Sequence, residues 1–193
     1  DGITLPQSEN LGFSAGNNVG INQALSDPSI THICLLNNDV ITPPRWLDIL
    51  VAHADGALVS PLSNSVGNEQ IIPVPYTSKG INGYTRQAVF DFAAEHERTH
   101  VGNVVPSRML GFFCVLGPVE LFRRVGPLDE GFGLGYFEDD DYCLRTEKAG
   151  FAQRIVRQGF VHHWGTVGSY GKVVNSNIPE LSYEETDAGM RQT

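Results

Sequence analysis

The chain is short of basic residues, short of sulfur and without any long apolar run. Lys and Arg number 13 against 22 Asp and Glu in 193 residues, a net charge of −9. Binding phosphate backbones or anionic bilayers needs clustered cations, so this balance argues against nucleic acid or an anionic membrane surface as the main partner. The three cysteines (Cys34, Cys114 and Cys143) are odd in number and widely spaced. They form neither a disulfide framework nor a C-x-x-C metal knuckle, which points to a reducing compartment. No apolar run approaches the roughly 20 residues that span a bilayer, and no secretory signal pattern opens the chain. No internal repeat is visible. What is present is ordinary for a folded domain: 41% hydrophobic and 18% charged residues. A chain of this length buries a core without staples and makes one domain, or a domain with an appendage. It begins with Asp1 rather than Met, as a fragment or processed product would.

Helical and extended patterns alternate, which predicts an α/β architecture. A Gly/Asn/Ser-rich turn over Asn10–Gly20 runs into a helix at Asn18–Ser26. His32–Leu36 and Ala57–Pro61 read as buried strands. Between them, Pro43 and Pro44 open a helix near Arg45–Ala54. Residues 62–84 read as a long loop, the kind that is often functional. Helices follow over Arg86–Arg98, Val119–Val125 and Glu138–Ala149, the last closed by Gly150. Met109–Leu116, Gln153–Val156 and Phe160–His163 suit strands, and the pattern fades after Ser169.

Four clusters could carry chemistry. The turn Asn10–Gly20 has small residues at a helix entry, which let backbone N–H groups approach a phosphate or sugar, though it is neither a P-loop nor a GxGxxG fingerprint. Asn37-Asn38-Asp39 ends a buried strand, where ligands of open α/β sheets bind. A carboxylate there suits a divalent cation that keeps oxygen ligands; the competing reading is a turn or cap before the Pro44 helix. Glu138-Asp139-Asp140-Asp141 begins a helix, where acids also serve the macrodipole. Asp141 has Arg145 one turn on, and Asp140 faces the polar side with Glu147 and Lys148. Asp139 shares a face with Tyr142, Cys143 and Thr146 and has no basic partner. A part-buried, unpaired carboxylate has a raised pKa and can act as a general base; simple capping competes evenly. In His162-His163-Trp164-Gly165 the two imidazoles point to opposite faces, so one at most serves a site.

The order of these blocks is more specific than any one of them. N-x-G-x-x-x-G-x-N-x-G from Asn10 is followed by L-N-N-D-V, G-F at Gly111, V-G-x-L-D-E, G-Y-F-E-D-x-D-x-C-L-R and V-H-H-W-G. Over residues 10–170 the chain resembles family 2 glycosyltransferases of the bacterial rhamnosyltransferase-like kind. The resemblance implies a GT-A-like (Rossmann-like) mixed sheet flanked by helices. It implies inverting transfer of a sugar from a nucleotide-sugar donor to a hydroxyl of a glycan or lipid-linked acceptor, in polysaccharide biosynthesis. Asn37, Asn38 and Asp39 fall on the D-x-D position, with Asn in place of its first acid, so Asp39 carries the cation contact. His163 falls on the H-x-G position that completes the site for Mn2+ or Mg2+, with His162 as the fallback. Asp139 falls on the general base. Asn10, Gly12, Gly16 and Asn18 match the donor-side turn, and Gly111, Asp129, Glu130, Glu138 and Trp164 the acceptor side.

Two departures shape the expectations. Pro118 stands where relatives often have Arg, and the opening strand–helix–strand of such enzymes has no counterpart. The chain therefore reads as an N-terminally truncated GT-A domain over 1–170 with an irregular tail over 171–193. The expected consequences are an exposed apolar edge at Ile33–Leu36 that invites self-association, low stability and weak nucleotide affinity. Cytoplasmic location, with peripheral association at the inner membrane face for the full-length protein, is implied only by the resemblance. A truncated or degenerate non-catalytic binding module and a nucleotidyltransferase are the competing classes.

Overall fold

The computed structural model describes residues 4–76, 85–133 and 136–165. Helix α1 (Gly12–Ser26) leads to β1 (His32–Leu36), β2 (Val40–Ile41), α2 (Trp46–Val51) and β3 (Ala57–Leu62). Then come α3 (Arg86–Thr99), β4 (Val104–Pro106), β5 (Cys114–Pro118) and α4 (Val119–Val125). A short 3-10 helix, Glu130–Phe132, precedes α5 (Glu138–Lys148), β6 (Ala152–Phe160) and β7 (His162–His163). Five strands form a mixed sheet in the order β1-β5-β3-β6-β4, and β2 pairs with β7 in a separate ribbon.

The sheet alternates side chains between two apolar clusters, as the pleat requires. Ile33, Leu35, Leu58, Val115 and Ile155 face a core built with Ile21 of α1, Val89 and Ala93 of α3, Leu121 and Phe122 of α4, and Tyr142 of α5. Val59, Cys114, Leu116 and Val156 face Ile49 and Leu50 of α2. The result is an α/β/α sandwich, the mixed sheet flanked by helices that the sequence implies. β1 is an edge strand of this sheet. The expected apolar exposure there is small, because Ile33 and Leu35 are buried and only Leu36 is substantially open.

Several boundaries differ from expectation for identifiable reasons. α1 already starts at Gly12, which takes a φ of +78°, so most of the expected turn is helix. α2 loses its first residue because Arg45 is left-handed, at φ +67°. The polar stretch Arg157-Gln158-Gly159 does not end a strand. β6 runs through it with a register break against β3, where Pro61 pairs with Val156 and Leu62 with Phe160. The extra groups are satisfied outside the ladder: His96 Nε2 meets the Arg157 carbonyl at 2.7 Å, and Gln158 N–H donates to Asn103. β4 was hidden by its length and by Pro106, which an edge strand tolerates. The tail over 171–193 lies outside the described residues.

Met109–Phe113 is apolar but is not a strand. Leu110–Phe113 is buried and approaches β5 as irregular backbone, so its polar groups need side-chain partners. Gln70, fully buried, supplies one. Its Oε1 accepts the Gly111 N–H at 2.7 Å, and its Nε2 donates to Ser60 Oγ at 2.5 Å and the Pro61 carbonyl at 2.7 Å. Gly111 is glycine because an added Cβ would stand 2.6 Å from Val66 Cγ2. Replacing Gln70 by Leu leaves several buried polar groups unmet, at about 1–3 kcal/mol each before relaxation. We expect Gln70→Leu to lower unfolding free energy by about 2–4 kcal/mol in denaturant melts; a loss below about 0.5 kcal/mol would show that the network is dispensable.

Candidate active site

β2 and β7 pair antiparallel, Val40 opposite His163 and Ile41 opposite His162. Trp164 N–H donates to the Asp39 carbonyl at 2.9 Å and extends that ribbon. This register sets the Asp39 and His163 side chains together, with Oδ1 and Nε2 3.2 Å apart. Both side chains are mostly shielded from solvent. The Asn37 amide nitrogen lies 3.4 Å from the same imidazole nitrogen. Asn37 is itself anchored by its N–H to the Phe113 carbonyl at 2.9 Å, while Asn38 is exposed on the turn.

His163 is held from three sides. Asn64 brackets its backbone, donating to its carbonyl at 3.0 Å and accepting its N–H at 2.9 Å. The Phe113 ring stacks on the imidazole at 5.4 Å with a 19° interplanar angle. Nδ1 lies 2.7 Å from the Ser65 carbonyl. A carbonyl only accepts, so Nδ1 carries a proton, and in the neutral ring Nε2 is then the lone-pair nitrogen facing Asp39. A lone pair against a carboxylate is repulsive unless something positive lies between them. A proton is one species that fits there. Burial alone would lower the His163 pKa, but the Asp39 hydrogen bond and charge, with the Ser65 carbonyl, outweigh it and leave it raised. A divalent cation is the other species that fits a carboxylate beside an imidazole lone pair. Among the described residues no group of three or more His, Cys, Asp and Glu converges to hold a metal. The described residues therefore bring two candidate ligands, Asp39 and His163, together at this point. Gly165 is required by the same corner: it sits at φ +62°, and a Cβ would overlap the Ser65 hydroxyl.

His162, the fallback ligand, points away. It is fully buried, meets the Tyr76 hydroxyl at 3.1 Å, and is pushed down to about 4 by burial and by His163.

The second half of the site is the start of α5. Asp139 is half-buried, and its pKa is raised by burial and by the Asp140 charge. The N–H groups of Asp140 and Phe112 oppose that rise by favouring the carboxylate. Asp140 N–H donates to Asp139 Oδ1 at 3.0 Å. Asp141 is paired with Arg145 at 2.8 Å. Glu138 is more buried than Asp139; its Oε2 has no hydrogen-bond partner among the described residues, and its pKa is raised by burial and then by Asp139 and Asp140.

The remaining sequence candidates have the following places in the fold. Asn10 caps Gly12 N–H at 2.9 Å. Asn18 is buried in α1, donating to the Leu128 carbonyl at 2.9 Å and Glu130 Oε1 at 2.8 Å and accepting the Leu128 N–H at 2.9 Å. Its amide thus ties α1 to the segment after α4, and Glu130 belongs to that tie. Gly16 has open space where a Cβ would be. Asp129 caps the 3-10 helix through Gly131 N–H at 2.8 Å. Trp164 sets its ring edge-on to His162. Gln70, Asn64 and Ser65 were not singled out from sequence. The only signal for them was the polar, Pro-rich character of the 62–84 segment, of which 77–84 lies outside the described residues.

No family model matches the chain, and no curated protein matches it. Among solved structures, the chain is similar to the crystal structure of GalNAc-T7 with UDP, GalNAc and Mn2+. The TM-score is 0.56 at 14% identity, over 81% of this chain and 31% of that one. The chain thus spans about a third of the length of the structure it matches. The likeness establishes the fold class: a GT-A-like glycosyltransferase fold. No helix among the described residues is long and apolar enough to cross a membrane.

His162 provides a pH test. Its folded pKa of about 4 lies below the ordinary 6.5, so the unfolded chain binds the proton more readily. Its contribution to stability is complete above about pH 6.5 and is lost as pH falls toward 4. We expect the melting temperature of His162→Asn to drop less than that of the native chain between pH 7 and 4.5. Parallel drops in the two proteins would contradict a neutral, buried His162.

Proposed function

We propose that the chain is the catalytic part of an inverting glycosyltransferase, similar to the family 2 rhamnosyltransferase-like enzymes. It would move a sugar from a nucleotide-sugar donor to a hydroxyl of a glycan or lipid-linked acceptor. One observation carries this reading. The Phe113 ring stacks on His163, and the N–H of the preceding residue, Phe112, favours the Asp139 carboxylate. The candidate base and the candidate cation corner therefore flank the same short piece of buried backbone. The fold supports the reading, since GalNAc-T7, which shares it, was crystallised with UDP, GalNAc and Mn2+.

Asp39 and His163 would hold Mn2+ or Mg2+, with the other positions left to substrate oxygens and water. When bound, the cation supplies Lewis-acid stabilisation of the charge that builds on the departing diphosphate. Asn37 would steady the imidazole from the side. On the acceptor side, Asp139 takes the hydroxyl proton as the oxygen attacks the anomeric carbon. Desolvation raises its affinity for that proton, and the Phe112 and Asp140 N–H groups keep it aligned and ionisable. Bond formation to the acceptor oxygen and departure of the nucleotide from the opposite face invert the anomeric centre without a covalent enzyme intermediate.

Asp139→Asn keeps a hydrogen-bond acceptor at Oδ1 but removes the base. With Mn2+ and a panel of UDP-, GDP- and dTDP-sugars, we expect donor binding within about two-fold of native and transfer reduced by about 10²–10⁴-fold. Undiminished transfer by that variant would remove Asp139 from the mechanism.

A further inference from the structure

Two histidines stand in tandem just past the end of β6, and only His163 meets Asp39. Which of them does so is decided upstream. Side chains alternate along a strand, so residues an even number apart share a face. Ile155 lies in the cluster packed on α1, α3, α4 and α5, and Val156 in the cluster packed on α2. An unbroken strand would keep the even-numbered residues on the α2 side and turn His162 toward Phe113. The bulge reverses this. Pro61 pairs with Val156 and Leu62 with Phe160, so Arg157, Gln158 and Gly159 are extra residues with no counterpart on β3. An odd insertion exchanges the two faces for everything that follows. Phe160 accordingly joins the cluster of Ile155, and Val161 joins that of Val156. His162 then meets Tyr76, while His163 stacks on Phe113 and reaches Asp39.

A bulge needs partners for the groups it removes from the ladder. The end of α3 and the turn after it supply them. Nε2 of the buried His96 lies 2.7 Å from the Arg157 carbonyl, and a carbonyl only accepts, so Nε2 carries a proton. Gln158 N–H donates to the Asn103 carbonyl at 3.3 Å, and Gln158 Oε1 accepts the Gly102 N–H at 2.9 Å. The His96 ring is fixed in turn, stacked on Phe92 at 5.7 Å and on His100 at 4.0 Å. Phe92 also meets Phe160, the first residue past the bulge, edge-on at 4.9 Å. Burial holds the His96 pKa below its ordinary value against the pull of the Arg157 carbonyl, which keeps the ring neutral near pH 7.

We propose that His96 is a positioning residue: by pinning the Arg157–Gly159 bulge it selects His163 rather than His162 as the imidazole at Asp39. This rests on the proposed function for the role of that corner. It goes beyond it in tracing the choice of ligand to α3, an element distant in sequence from both histidines.

Aromatic NOE spectra of the full chain, without metal or nucleotide, test the clamp. The native chain should show contact between the Phe113 and His163 rings. His96→Gln keeps an N–H donor at a similar reach and should retain that contact. His96→Leu removes the donor and should lose it. Persistence of the contact in His96→Leu would overturn the proposal, since a merely structural His96 would lower stability and leave the rings in place. Loss of the contact in both variants would also overturn it, by showing that ring packing and not the donor holds the bulge. Nitrogen-15 spectra of the native chain keep the test decisive where His96→Leu does not fold. The Nε2–H tautomer of His96 is expected, and the Nδ1–H tautomer would contradict the clamp. Titration with Mn2+ in the presence of UDP reads the consequence at the site. We expect His96→Leu to weaken Mn2+ binding by about ten-fold or more and His96→Gln to stay within about two-fold of native. Native-like Mn2+ affinity in His96→Leu would refute the positioning role. A native chain that binds neither Mn2+ nor UDP would refute the glycosyl-transfer assignment, whereas the ring contacts judge the clamp by themselves.

Discussion

A buried stretch of backbone that runs outside any strand must find a partner for each N–H and C=O it carries. Leu110–Phe113 is such a stretch, and meeting that requirement positions much of the site. Leu110 N–H is taken by Cys143 Sγ at 3.3 Å and Gly111 N–H by Gln70 at 2.7 Å. Phe112 N–H favours the Asp139 carboxylate, and the Phe113 carbonyl takes Asn37 N–H at 2.9 Å. Residues from three separate parts of the chain, the Asn37 turn, the Gln70 loop and α5, are thereby gathered around one short segment. The Phe113 ring adds His163. A buried amide without a partner costs about 1–3 kcal/mol, so these placements are enforced by folding rather than left to loop flexibility.

Burial acts on the two halves of the site in the same sense, against charge, and their neighbours decide the outcome. His163 has Asp39 at 3.2 Å and the Ser65 carbonyl, so its pKa is raised in spite of burial. At Asp139 burial and the Asp140 charge raise the proton affinity, and the backbone N–H groups that oppose them do not cancel the rise. Under the proposed function, one half would receive a positive species and the other a proton.

Much of the frame was legible in the sequence because it rests on local pattern. β1 and α4 fall on the expected residues, and α5 ends one residue early. The face of α5 that buries Asp139 followed from helical periodicity, and the pairing of Asp39 with His163 came from the resemblance. What was not legible depends on contacts distant in sequence. Asn18 looked like part of a ligand turn, but its amide is bonded to Leu128 and Glu130 across the fold. Gln70 sat in an unpatterned loop, and only the missing partners of Gly111, Ser60 and Pro61 explain it. Arg157–Gly159 looked like a strand break because a bulge carries polar residues just as a turn does.

The central claim is that Asp39 and His163 form one cation corner, with the His163 Nε2 lone pair directed into it. Pulsed EPR of Mn2+ added to the chain with UDP measures this directly. A single-imidazole nitrogen coupling on the manganese, abolished in His163→Ala and retained in His162→Asn, is the predicted result. A nitrogen-free spectrum, with manganese bound only by water and phosphate oxygens, would contradict the account.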